Sequence, residues 1–242
     1  MTAPATPDFR DRVALVTGVG RAGQIGHAVA LALGRAGARL VAADLNAVGV
    51  AERVREFAAL GIEARPAAGD LTIPDITELA IETAMRAYGR LDTVVNVAGG
   101  LTTYGPLSNL GPRDFDREMA INVKTTVLVS RAAIGALSAA RGSIVNFASM
   151  AVLEPQSPMA VYSAAKAAVA GFTRSLALEL AGAGVRVNAV APGMVRTGDN
   201  VASVGTEGPY VELDDICRGV LSLADPASSI TGQILPIRPR GA

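Results

Sequence analysis

Tryptophan is absent, and the 242-residue chain holds one cysteine, Cys217, and one histidine, His27. A zinc site built from Cys and His ligands is thereby excluded, as is an intramolecular disulfide. Lysine is nearly missing: Lys124 and Lys166 stand against twenty arginines. No uninterrupted apolar run approaches the ~20 residues that cross a bilayer. The opening Met-Thr-Ala-Pro-Ala-Thr-Pro-Asp lacks the basic region and apolar stretch of a signal peptide. Net charge is missing too, with 22 basic and 22 acidic residues and no basic block. Nucleic acid and membrane surfaces are therefore not expected partners. These absences describe a soluble, cytoplasmic protein.

Half of the residues are hydrophobic but only 4% are aromatic, the excess being alanine, valine and leucine. That composition suits helices packed closely on a sheet. Short apolar runs, readable as strands covered on both faces, fall at Val13–Thr17, Arg39–Ala43, Ile62–Pro66, Leu91–Val95, Ser143–Phe147, Val185–Val190 and Gln233–Ile237. Helical patterns lie between them. Ile25, Val29, Leu33 and Ala36 form a stripe that Gly37 ends. Pro74 opens a helix towards Tyr88, Pro112 a longer one to about Ala140, and a further helix spans about Ala160–Ala181. The alternation predicts one α/β domain over 1–242: a doubly wound, Rossmann-type parallel sheet of about seven strands with helices on both faces. Residues 1–10 read as a flexible end. Arg196–Pro209, rich in Gly, Ser and Thr, reads as a substrate loop without structure of its own.

Three groups of residues carry chemistry. The first strand runs into Thr17-Gly18-Val19-Gly20-Arg21-Ala22-Gly23-Gln24-Ile25-Gly26 and then a helix. Glycines allow a pyrophosphate to approach the backbone, and the helix N-terminus supplies amide donors. Asp44 ends the second strand, where an acid accepts hydrogen bonds from adenosine ribose hydroxyls. Tyr162 and Lys166 stand four apart in Val161-Tyr162-Ser163-Ala164-Ala165-Lys166, on one helix face, with Ser149 thirteen residues before the tyrosine. An ammonium there is expected to lower the phenol's pKa from about 10, as proton exchange with an alcohol or ketone near neutral pH requires.

On these motifs the chain, from about Asp11 to about Ile237, resembles the short-chain dehydrogenase/reductase family. The resemblance includes Asn96-Val97-Ala98-Gly99 after the fourth strand and Asn122 in Ile121-Asn122-Val123. It extends to Gly69-Asp70-Leu71-Thr72, to Pro192-Gly193-Met194-Val195-Arg196-Thr197 and to Ile230-Thr231-Gly232-Gln233. It implies a catalytic tetrad of Asn122, Ser149, Tyr162 and Lys166, with Asn122 holding a water that continues a proton relay through the lysine. It implies a dinucleotide held by Gly18, Gly20, Arg21, Gly23, Gln24, Ile25, Gly26 and Asp44. Asp70 and Leu71 would lie beside the adenine, Asn96, Ala98, Gly99, Tyr162 and Lys166 further along, and Pro192, Gly193, Val195 and Thr197 around the nicotinamide. It also implies a homotetramer, or a dimer, built on the long helices around Pro112–Ala140 and Ala160–Ala181. The chain departs from the family pattern in a glycine loop two residues longer, a shorter segment after Thr197, and the ending Pro236-Ile237-Arg238-Pro239-Arg240. The loop aligns either on Gly18-x-Gly20-x-x-Gly23 or on Ile25-Gly26, and the sequence leaves both open.

The expected activity is interconversion of a ketone or other carbonyl and a secondary alcohol with a nicotinamide cofactor. Hydride passes directly between cofactor and carbon, so the chemistry calls for no metal. NAD(H) is expected over NADP(H), because Asp44 would repel a 2′-phosphate and Leu45 follows it where a compensating base would sit; Arg21 is the dissenting residue. Two alternatives stay open: an NADP-dependent 3-oxoacyl-type reductase, and a dinucleotide-binding regulator without turnover. Ala151–Gln156, Met159, Met194, Tyr104 and Tyr210 are the expected walls of a substrate pocket. His27 reads as a solvated structural residue and Cys217 as a small core residue.

Overall fold

The computed structural model describes residues 7–241. Seven parallel strands, β1 (Val13–Thr17), β2 (Arg39–Asp44), β3 (Ala64–Ala68), β4 (Thr93–Asn96), β5 (Ser143–Phe147), β6 (Arg186–Pro192) and β7 (Ile234–Ile237), form one sheet. Their order is β3-β2-β1-β4-β5-β6-β7. The order in which strands are added therefore reverses between β1 and β4, and a crevice opens at the carboxyl ends of these two strands, where an open α/β sheet binds ligands.

The period of two along β1 divides the core. Ala14 and Val16 face a cluster with α1 (Ile25–Arg35), α2 (Ala47–Ala59) and α8 (Leu213–Ala224), through Leu33, Phe57 and Val220. Val13 and Leu15 face the other layer, α3 (Pro74–Tyr88), α5 (Thr125–Ala140) and α6 (Ala160–Glu179), through Ile81, Val129 and Leu176. The remaining helices are α4 (Pro112–Met119), joined to α5 by a π-helical turn at Ala120–Lys124, and the short α7 (Gly198–Val204). By length and hydropathy alone Pro112–Ala140 could cross a membrane. In the fold α5 lies against α3, and α4 and the π turn lie against α6.

Several boundaries differ from the sequence reading for identifiable reasons. Ile62 does not enter β3. Its amide bonds to Phe57 O, closing the α2–β3 turn, and its side chain sits over Gly34 of α1. β3 is not covered on both faces either: Arg65, Pro66 and Ala68 are exposed, as an edge strand with a proline permits. Leu91 and Asp92 precede β4 because the Asp92 carboxylate is occupied by Val13 N–H, Arg12 and Arg90. The flexible end expected for 1–10 stops short of Phe9, whose ring is fully buried and whose amide bonds to Ala36 O; residues 1–6 lie outside the described residues. Arg196–Pro209 is not structureless, since it contains α7. Thr197 caps that helix by accepting from Asn200 N–H at 3.3 Å, and Asp199 stands in its first turn. The α2 and α8 helices have no counterpart in the sequence reading, although Asn46 caps the first from Gly49 N–H.

Candidate active site

Three loops meet at the β1–β4 crevice. Thr17 Oγ1, at the end of β1, accepts from both Val97 N–H and Ala98 N–H at 2.9 Å, tying the glycine loop to the segment after β4. Gly18 turns there at φ +74°, and a Cβ on it would meet Ala98 N at 3.1 Å. Gly26 lies over this turn so closely that a Cβ would come within 2.1 Å of Gly18 O. The first turn of α1 has no side-chain cap and no acidic residue. Its amides are thus aimed at the crevice with the positive end of the helix dipole, a cradle that fits a dinucleotide pyrophosphate.

Within the loop the amides are unequally committed. Gly20 N–H donates to Asp44 Oδ2 at 2.9 Å and Gly23 N–H to His27 Nδ1 at 3.0 Å. His27 is buried, not solvated: its Nε2 meets Glu56 Oε1 at 3.0 Å and its ring stacks on Phe57. With Nδ1 accepting, the proton sits on Nε2. Gln24 N–H is turned back to Arg21 O. The Asp44 carboxylate also accepts from Asn46 N–H at 2.8 Å, so it is fixed at the end of β2. Arg21 does not lean towards Asp44. Its guanidinium makes a two-point contact with Asp199 of α7, at 2.6 Å and 2.5 Å.

The remaining expected cofactor residues are distributed as follows. Asp70 Oδ1 accepts from Thr72 N–H in the turn after β3, and Leu71 is buried in the core beneath it. Asn96 is also buried, its amide donating to Ser130 Oγ and Asn146 Oδ1, so this side chain builds the core rather than facing the crevice. Gly99 has φ +135°, and a Cβ there would come within 2.6 Å of Asn122 Oδ1. Pro192 closes β6, and Gly193 N–H bonds to Ile237 O. Val195 and Thr197 are buried at the root of α7, and Asn200 Nδ2 donates back to Val195 O.

The four expected catalytic residues converge from three elements. Ser149, just past β5, is extended, with its hydroxyl accepting from Ala151 N–H at 3.2 Å. Tyr162 and Lys166 share a face of α6, with Lys166 Nζ 5.8 Å from the centroid of the Tyr162 ring. The same ammonium donates to Phe147 O at 3.0 Å. Asn122 lies in the π turn, and Thr126 Oγ1 donates to its carbonyl at 2.9 Å. Its side chain bridges to Gly100, donating to Gly100 O at 2.9 Å and accepting from Gly100 N–H at 3.0 Å.

The electrostatics run against one expectation. Burial raises the Tyr162 pKa above its ordinary value, the Ser149 hydroxyl works the other way, and the charge of Glu118 adds to the rise. Burial also lowers Lys166 to about 8, opposed by Glu118. The lysine does not lower the phenol here because both groups are out of water, and desolvation disfavours either charge. Glu118, four residues before Asn122 and fully buried, escaped the sequence reading. Its i, i+4 spacing to Asn122 was the available signal.

Of the expected walls, Tyr210 is buried. Its hydroxyl donates to Gly205 O at 2.6 Å, pinning the end of α7, and its ring carries Arg196 at 4.6 Å. Tyr104 is 68% exposed at the rim. A cavity of about 430 Å³ beside α6 is lined by Pro106, Leu107, Pro155, Gln156, Met159 and Ser163, among others.

Comparison with known proteins agrees with this architecture. A short chain dehydrogenase family profile matches residues 12–207. A hydroxy(phenyl)methylsuccinyl-CoA dehydrogenase subunit of Thauera aromatica is 37% identical over 241 residues, covering 94% of this chain and 95% of the relative. The 2-(S)-hydroxypropyl-CoM dehydrogenase 3 of Xanthobacter autotrophicus is 37% identical over 244 residues, covering 93% and 94%. Among solved structures, an NAD+-bound xylitol dehydrogenase superposes with a TM-score of 0.85 at 30% identity, covering 96% of this chain and 99% of the other. With a family profile across most of its length and relatives that match it end to end, the chain belongs to the short-chain dehydrogenase family of oxidoreductases.

Proposed function

We propose that this protein is an NAD(H)-preferring oxidoreductase that interconverts a carbonyl and a secondary alcohol. The observation that carries the reading is the convergence of Ser149, Tyr162, Lys166 and Asn122 beside the crevice that the glycine loop and Asp44 enclose. Relatives named for a hydroxypropyl, a hydroxy(phenyl)methyl and a xylitol substrate support a hydroxyl-bearing carbon as the reacting centre.

The amides of Ile25 and Gly26 hold the pyrophosphate, because those of Gly20, Gly23 and Gln24 already have partners. That favours the alignment on Ile25-Gly26. Asp44 accepts from the adenosine ribose, and Val195 and Thr197 line the nicotinamide end. When bound, the cofactor supplies or takes the hydride at C4 of its nicotinamide. Tyr162 gives its proton to the carbonyl oxygen in reduction and takes it back in oxidation. Ser149 donates to the same oxygen and stabilises charge developing there. Lys166 holds the nicotinamide ribose, and Asn122 orients the water that refills the relay. A largely apolar cavity with Gln156 as a polar contact suits a small or medium ketone.

The protein acts in the cytoplasm as a homotetramer. Apolar side chains left exposed on α4 and α6, Phe115 at 48% and Leu178 at 81%, support packing between subunits. A panel of secondary alcohols and ketones, assayed with NAD(H) and NADP(H) at the reduced-nicotinamide absorbance band, tests the reading. Dinucleotide binding without turnover of any member would favour the regulator instead.

A further inference from the structure

Glu118 lies on α4, outside the four residues just described, and is fully buried. Its Oε2 accepts from Thr102 N–H at 3.0 Å, Thr102 Oγ1 at 2.6 Å, Thr103 N–H at 2.9 Å and Thr103 Oγ1 at 2.9 Å. Its Oε1 accepts from Asn122 Nδ2 at 2.9 Å. The two backbone amides and the Asn122 amide are obligate donors, so both carboxyl oxygens must accept. A glutamine would set its own amide donor against one of these donors. Both oxygens of Glu118 are thus bonded in a fully buried site, as a buried polar group requires.

Several titratable groups surround it. From α6 it faces Lys166 and Tyr162, whose ionisation it affects. The segment after β4 offers threonine hydroxyls and amides, with Tyr104 turned to solvent. On α4 itself Arg113, Asp116 and Arg117 are exposed, and Asp114 is occupied by Gly111 N–H. Lys124 at the end of the π turn is exposed as well.

We propose that Glu118 is a positioning residue of the catalytic site: one carboxylate that clamps Asn122 against the Thr102–Thr103 segment. The proposal rests on the oxidoreductase reading above and adds a member to its machinery. One oxygen of Glu118 sets where the Asn122 amide points, and its charge works against the fall that burial causes in Lys166. Because the same charge disfavours phenolate, Glu118 moves the titrations of Lys166 and Tyr162 in one direction, upward. Removing it moves both downward.

Two lysines in the chain make the test direct. NMR of protein labelled at the lysine side chains follows the titration of Lys166, with exposed Lys124 as the internal reference, and needs neither cofactor nor substrate. In Glu118→Gln the Lys166 midpoint falls from about 8 by roughly a pH unit or more. The alkaline limb of carbonyl reduction moves to lower pH with it. Glu118→Asp keeps the charge but is one methylene too short for the clamp: the Lys166 midpoint holds while kcat falls by about 10- to 100-fold. Wild-type kcat together with an unchanged Lys166 midpoint in Glu118→Gln overturns the proposal. Should that variant not fold, Glu118→Asp decides, and wild-type kcat in it overturns the clamp. Absence of turnover by the unsubstituted enzyme would count against the oxidoreductase reading alone, since the lysine titration stands independently.

Discussion

Asp44 offers the sharpest test of cofactor choice. Its carboxylate is held by Gly20 N–H at 2.9 Å and Asn46 N–H at 2.8 Å, and a Cβ on Gly20 would come within 2.9 Å of Asp44 Cγ. The carboxylate therefore cannot swing aside to admit a 2′-phosphate. Two unit charges 4–6 Å apart at an effective dielectric constant near 20 repel by about 3–4 kcal/mol, and allowing for solvent a penalty of about 2–4 kcal/mol is expected. At about 1.4 kcal/mol per decade that is roughly 30- to 1000-fold in favour of NAD(H). Arg21, the glycine-loop cation that could offset it, is engaged by Asp199. The assay is kcat/KM with each cofactor, for the unsubstituted enzyme and for Asp44→Ala. The substitution should remove both the ribose bonds and the repulsion, lowering NAD(H) efficiency and bringing the ratio to within about tenfold. An enzyme that prefers NADP(H), and keeps that preference without Asp44, would refute the argument.

Tyr162→Phe should leave NAD(H) affinity near its original value and lower kcat by about 10²–10⁴-fold; retained turnover would remove the phenol from the mechanism. Lys166→Ala should weaken both turnover and cofactor binding, measured by kinetics and by titration of reduced-nicotinamide fluorescence. The Lys166 pKa lies near 8, below its ordinary 10.5, so the ammonium is present below that pH and lost above it, while Tyr162, shifted upward, stays protonated. Carbonyl reduction should accordingly hold through neutral pH and decline above about pH 8; a rate flat to about pH 10 would contradict this. At Asp92 burial works against the charge, yet bonds from Arg90, Val13 N–H and Arg12 outweigh it and keep the carboxyl below its usual range. Its stabilisation is therefore present above about pH 4 and lost as pH falls through the lowered value. Asp92→Asn should cost about 1–3 kcal/mol in denaturant unfolding at pH 7 and progressively less in acid.

The parts of this protein that are local in sequence were the parts legible in it. Strands such as Ser143–Phe147 and a helix such as Pro74–Tyr88 are bounded by breakers a few residues away, and their limits could be read directly. The approach of Tyr162, Lys166 and Ser149 was legible because the first two share one helix face and Ser149 lies just past the strand before it. What depends on distant segments was not. The bond from His27 to Gly23 requires Glu56 and Phe57 to come from α2, and nothing near His27 announces them. The acidity of Tyr162 depends on how much water the fold excludes, so a lysine four residues away led to the wrong sign. Glu118 follows a largely polar stretch, Arg113–Arg117, and the approach of Thr102 and Thr103 distinguishes it from its exposed neighbours. The composition of Arg196–Pro209 concealed a helix whose start depends on one threonine cap.

That helix is fastened unusually. No residue of α7 is buried, yet both of its ends are held from buried residues: Asn200 donates to Val195 O, and Tyr210 to Gly205 O. The contact between Arg21 and Asp199 alone among these joins it to the glycine loop. Both partners are open to water, so the tie is weak and sensitive to salt. Raising the ionic strength should therefore free the glycine loop from α7 while the helix stays anchored at both ends. The release rate of a bound coenzyme is then expected to rise with salt, which stopped-flow dissociation in dilute and concentrated buffer would check.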